Sequence, residues 1–193
     1  MSTPQGTDED IRSGTTLYAV LWPHKEAMVN RWVGVVHGSY PFETIGFLRT
    51  NSNRFANPVG YRTEEAAKAL IEILFTDQPE EATLHKAVDE IIRVRAIQDF
   101  PPETAVGVVF ALKDIVREVV SASGQGAACL RAMWALESRI DAVALMAFGA
   151  YARHRERLHL LKVEEHKRSH SQLMRLAMRK AGMEPEEAEP QKP

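Results

Sequence analysis

One cysteine, Cys129, stands in 193 residues. A single thiol excludes an intrachain disulfide and any zinc or iron–sulfur site that one chain would build from clustered cysteines, and it suits a reducing cytoplasm. Excess charge of either sign is also missing. Lys and Arg together number 24 against 26 Asp and Glu, so no net field draws in nucleic acid or anionic lipid. The first residues, MSTPQGTDEDIRSGT, carry acids and turn formers where an export signal places basic charge and then an apolar run. The longest apolar run, Ala142 to Ala152, falls far short of the roughly 20 residues of a membrane span, which argues against membrane insertion. No pair of alternating segments joined by a hairpin turn occurs, and from about Ala127 to Ala181 there is no proline and only one glycine, Gly149.

What remains is helical periodicity. Residues 1–14 lack it and read as a disordered N-terminal tail. Pro23 opens a helix in which Met28, Trp32, Val35 and Val36 share a face. A short helix is expected behind Pro41, and a loop over Asn51 to Gly60, where Asn57-Pro58 and Gly60 signal a turn. Thr63 is the expected cap of the next helix, with Ala67, Leu70, Ile71 and Leu74 facing inward. A helix from about Glu80 to Gln98 carries Leu84, Val88, Ile91 and Arg95 in one stripe. Another, opened by Pro102, continues through Val119 as one rod. The stretch from Ala127 to Ala181 is one very long helix or two coaxial ones. The fold class is all-α, with six or seven helices and no repeat. The domain reading is a bundle over 15–161, a helical extension over 162–182 and a disordered acidic tail over 183–193.

Few constellations in the chain carry chemistry. Arg95 is in register with apolar residues, so its guanidinium points inward and needs a partner. Asp99, Glu137 and Asp141 are the candidates for a structural ion pair, and the alternative is an anion or ligand pocket lined by Arg95. His85, a helical histidine, is the candidate axial haem ligand. His166 and His170 lie four apart, a spacing able to hold a metal if other ligands were supplied. They also share a stripe with His159, Val163, Leu173 and Ala177 that reads as a titratable, solvated seam, and no metal site is assigned. The glycines of SASGQG lack the Gly-Lys and preceding strand of a phosphate loop. No nucleophile, base or carboxylate pair stands out, so no enzyme is predicted.

Three stretches, RFANPVG (Arg54 to Gly60), IIRVRAIQDF (Ile91 to Phe100) and LESRIDAVALMAF (Leu136 to Phe148), resemble the N-terminal sensor domain of the RsbR/RsbRD co-antagonist family of stressosome proteins. The similarity extends over about Leu17 to Leu161. It implies a globin-like helical bundle, usually without haem, that dimerises and passes a signal along its last helix to a STAS domain. No alternation of strands and helices follows the long helix, so the expected form is a stand-alone one lacking a STAS domain. The function expected on this resemblance is a non-enzymatic sensory, regulatory or adaptor module, cytoplasmic and homodimeric. The dimer stripe would be Leu136, Ile140, Val143, Ala147, Tyr151, Leu158 and Leu161. Lys162, His166, Lys167, His170 and Leu173 would dock a separate regulatory or redox protein. The alternative is a haem- or small-ligand-binding globin-like protein with His85 or Arg95 as the contact.

Overall fold

The structure is a computed structural model that describes residues 16–40, 57–76 and 80–182, and among these every regular element is helical. Helical residues 16–21 lead into a 3-10 turn, Trp22–His24, with Pro23 in its first positions. Six α-helices follow: α1 Lys25–Gly38, α2 Pro58–Leu74, α3 Glu81–Ile97, α4 Pro102–Gly107, α5 Ala111–Ala122 and α6 Gly126–Lys180. The expected helix behind Pro41, most of the expected loop before Asn57, and both tails lie outside the described residues. The chain divides into two compact units, the first ending at His154 and the second starting at Arg155.

In the first unit the core is made by the faces that the periodicity indicates. Trp32 and Met28 of α1, Ala67, Leu70 and Ile71 of α2, and Val88 and Ile92 of α3 are buried with Leu112 and Val116 of α5. Val35, expected on the inner face of α1, is exposed instead, because Trp32 and Val36 already fill that side. Along α6, Cys129, Leu136, Ile140, Val143, Ala147 and Tyr151 repeat at spacings of three, four and seven and close the core. Small side chains at Ala144, Ala147 and Ala150 are buried on that face.

Two expected boundaries are corrected. Helix α2 begins at Pro58, six residues earlier than a Thr63 cap would place it. Asn57 is the cap: its side-chain oxygen accepts a 2.8 Å bond from the Gly60 amide, and Pro58 fills a position whose missing N–H would have had no partner. Thr63 lies inside the helix, and its hydroxyl donates to the Val59 carbonyl at 2.9 Å. The rod expected from Pro102 to Val119 is broken into α4 and α5. Between them the backbone tightens to i→i+3 bonds, Val109 N to Val106 O and Phe110 N to Gly107 O. Gly107 is a weak helix former. The Val108 carbonyl is taken by the buried Trp32 indole, which needs an acceptor. At the end of α5, Gly124 supplies the left-handed turn, φ 70°, that leads into α6.

Candidate functional site

Arg95 is the most deeply enclosed charged residue among the described ones, with 1 % of its surface exposed. Its setting begins with the way α3 ends. Asp99 adopts φ 64°, and the amides of Asp99 and Phe100 return to the carbonyls of Ala96 and Arg95 at 3.4 and 3.2 Å. This Schellman pattern has aspartate in the position glycine usually holds. It turns Phe100 back over Arg95, whose guanidinium carbon lies 4.5 Å from the Phe100 ring centre and 5.8 Å from that of Tyr40. The two rings meet edge to face at 4.9 Å.

The guanidinium then reaches the short helix α4 and the end of α1. Nε donates to the Ala105 carbonyl at 3.1 Å. One terminal nitrogen, Nη2, donates to the Thr104 carbonyl at 2.9 Å and to the Ser39 hydroxyl at 2.8 Å. Ser39 in turn donates to the Val36 carbonyl at 2.6 Å. The last four carbonyls of any helix lack intrahelical donors, and in a six-residue helix these include Thr104 and Ala105. Arg95 therefore caps α4 and sets a positive charge at the negative end of its dipole. Burial pulls the guanidinium below its ordinary pKa, with Tyr40 opposing, yet arginine keeps its charge in such settings. The other terminal nitrogen, Nη1, is buried without a hydrogen-bond acceptor among the described residues.

The carboxylate partners expected for Arg95 are corrected accordingly. Glu137 instead receives a two-pronged contact from Arg117, at 2.7 Å from Nε and 2.8 Å from Nη2. That contact holds its carboxyl below the usual range, with Lys113 adding to the effect. Asp141 pairs with Lys113 at 2.6 Å. None of the hydrogen bonds of Arg95 ends on Asp99, whose contribution is the left-handed turn.

His85 stands on the surface, 3.7 Å from Glu81 and away from the core, which is not the position of an axial ligand to a haem enclosed by the bundle. Among the described residues the buried histidine is His37. A second placed imidazole is His154, 2.8 Å from Asp89, while its neighbour one turn back, Tyr151, donates to the Phe100 carbonyl at 2.6 Å. These contacts fasten α6 to the middle of α3 and to the turn that follows it. His154 falls in register with the buried Val143, Ala147 and Ala150, but periodicity does not say that Asp89 is what receives it. Cys129 is buried, and burial pushes its thiol up. Among the described residues no group of three or more His, Cys, Asp or Glu side chains is arranged to hold a metal.

Of the dimer stripe expected on α6, Leu136, Ile140, Val143, Ala147 and Tyr151 are core residues of the first unit, whereas Leu158 is half-buried and Leu161 exposed. A different apolar stripe faces outward. Leu130, Trp134, Leu145 and Phe148 follow helical spacing, and the last three are 63 %, 74 % and 55 % exposed. Ser138 and Asp141 occupy the intervening positions. The signal was present in AVALMAF, whose apolar residues occupy more than one face.

In the second unit, Lys162, His166, Lys167, His170 and Leu173 are all exposed, as are Leu161 and Leu176. Among the described residues no helix is long and apolar enough to cross a membrane.

A comparison with protein families matches residues 26–166 to the RsbT co-antagonist protein rsbRD N-terminal domain, well over half of the chain. No curated protein and no solved structure matches.

Proposed function

The chain belongs to the RsbT co-antagonist rsbRD N-terminal domain family, a group of stressosome-type regulatory modules rather than enzymes, and from that premise we propose that it acts as a dimeric sensory or adaptor module. In this reading the outward stripe of α6 meets its counterpart in a second copy. The basic extension 162–182 docks a separate regulatory protein in the cytoplasm. The observation that carries the reading is the exposure of Trp134, Leu145 and Phe148 on one helical face. Large apolar side chains grouped on one face mark interaction surfaces more often than scattered ones do, and self-complementary pairing about a two-fold axis is the commonest way to cover such a patch.

The test is light scattering at micromolar concentration on the full chain and on the double variant Leu145→Glu, Phe148→Glu. The expected result is a dimer mass for the parent and a monomer mass for the variant, with helical circular dichroism unchanged. A monomeric parent overturns the dimer. For docking, the chain cut after Leu161 is compared with the full chain in copurification from the native cell. Loss of a partner from a truncated protein that stays folded and keeps its mass class supports the assignment, and equal recovery overturns it.

A further inference from the structure

Along the second unit, His166, His170 and Met174 follow one another at intervals of four residues. The helix runs unbroken through this stretch, so each lies about 6 Å further along the axis and about 40° round it from the one before. The three make one slowly turning stripe. Both imidazoles are exposed, and Met174 is 47 % exposed. Two other histidines stand against acids, His85 beside Glu81 and His154 beside Asp89. Neither His166 nor His170 has an ion-pair partner among the described residues.

No side chain three or four residues from any of these three is a carboxylate, and Lys162 and Lys167 stand among those neighbours. Glu165, the acid next to His166 in the chain, projects about 100° round the helix from it. Magnesium and calcium need carboxylate or carbonyl oxygens, which this stripe does not offer. Zinc accepts imidazole, but it would bring a double charge beside two lysines and gains little from a thioether. Copper(I) is the ion that thioether sulfur selects, and imidazole suits copper as well. It also carries a single charge.

We infer that His166, His170 and Met174 form a binding site for copper(I), with His170 central and one donor a turn away on either side. The part played by the imidazoles follows from their spacing, at which two histidines on one helical face grip a single metal ion. The choice of ion follows from the thioether and from the lack of carboxylates around it. Neither dimerisation nor docking enters the inference, and binding is scored on the full chain whatever its mass.

The test is titration of the full chain with copper(I), kept reduced by ascorbate in oxygen-free buffer and read by competition with a coloured copper(I) chelator. One ion per chain is expected, with zinc bound about tenfold more weakly or less. His170→Gln and Met174→Leu, both at exposed positions, should each weaken copper(I) binding by about tenfold or more, since even a residue behind a ligand is worth that much. Melting temperature and helical circular dichroism should stay those of the parent. The buried thiol of Cys129 is the rival ligand, and Cys129→Ala should leave the copper(I) affinity unchanged. No copper(I) binding, zinc bound as tightly, an unaffected His170→Gln or Met174→Leu variant, or loss of the ion from Cys129→Ala each overturns the assignment.

Discussion

The indole Nε1 of Trp32 donates a 2.7 Å hydrogen bond to the carbonyl oxygen of Val108, 76 residues further along the chain. The bond joins the middle of α1 to the break between α4 and α5, where a straight helix would have committed that carbonyl to an amide four residues on. Replacing Trp32 by Phe keeps an aromatic body but strands a buried acceptor. A loss of about 2 kcal/mol is expected, read as a lower urea midpoint at unchanged slope. A loss under about 0.5 kcal/mol would mean that water reaches the Val108 carbonyl.

Arg95→Ala should cost about 3 kcal/mol, because it removes three hydrogen bonds, uncovers the Thr104 and Ala105 carbonyls and leaves a cavity beneath Phe100. Arg95→Lys keeps the charge without the planar fork and should recover no more than about half of that loss. Chemical denaturation of both variants is the check, and recovery of nearly the whole loss by lysine would mean that charge alone matters.

Gly60→Ala places a Cβ 2.8 Å from Cγ of Asn57. Since Asn57 is buried, it cannot swing aside and keep its bond to the residue 60 amide. The cap is lost, at a cost of about 1–2 kcal/mol, and hydrogen exchange should accelerate first in the opening turn of α2.

Acidification should weaken the fold partly through Glu137. Its carboxyl is held below the ordinary 4.5 first by its hydrogen bond from Arg117, so the unfolded chain takes up its proton at a higher pH than the folded one. That contribution is fully present above about pH 4.5 and disappears as pH falls through the lower folded value. Glu118, bonded to Arg31, behaves in the same direction. Arg117→Met should make the decline of the urea midpoint between about pH 5 and pH 3 shallower, and the Glu118 contribution should leave some slope. An unchanged slope contradicts the assignment to Glu137.

Much of the helical layout is legible in the sequence because helical burial repeats every three to four residues. Met28, Trp32, Leu70, Val88 and Ile140 all sit where that period puts them. The period also says that Arg95 points inward. It does not say what receives the guanidinium, since the acceptors are backbone carbonyls of α4 and a serine hydroxyl 56 residues away, and carbonyls belong to every residue alike. The break at Val108 was hidden for a related reason, because three valines in helical register mask a carbonyl claimed by a distant indole. Leu136 and its stripe were readable as apolar but not as used within the chain, which depends on how many faces the other helices cover. Trp134, Leu145 and Phe148 are the surplus left after that covering.

The grip on Arg95 also bears on how the first unit assembles. Its acceptors come from Ser39, just past α1, and from α4, while the covering rings come from Tyr40 and Phe100. A partly built bundle, with α3 against its neighbours but α4 still loose, would hold a desolvated cation with too few acceptors, a state disfavoured by several kcal/mol. The arginine thus penalises half-formed structures more than it strengthens the finished one. Folding and unfolding of the first unit are thereby pushed toward a single all-or-none transition, in which α1, α3 and α4 lock or release together.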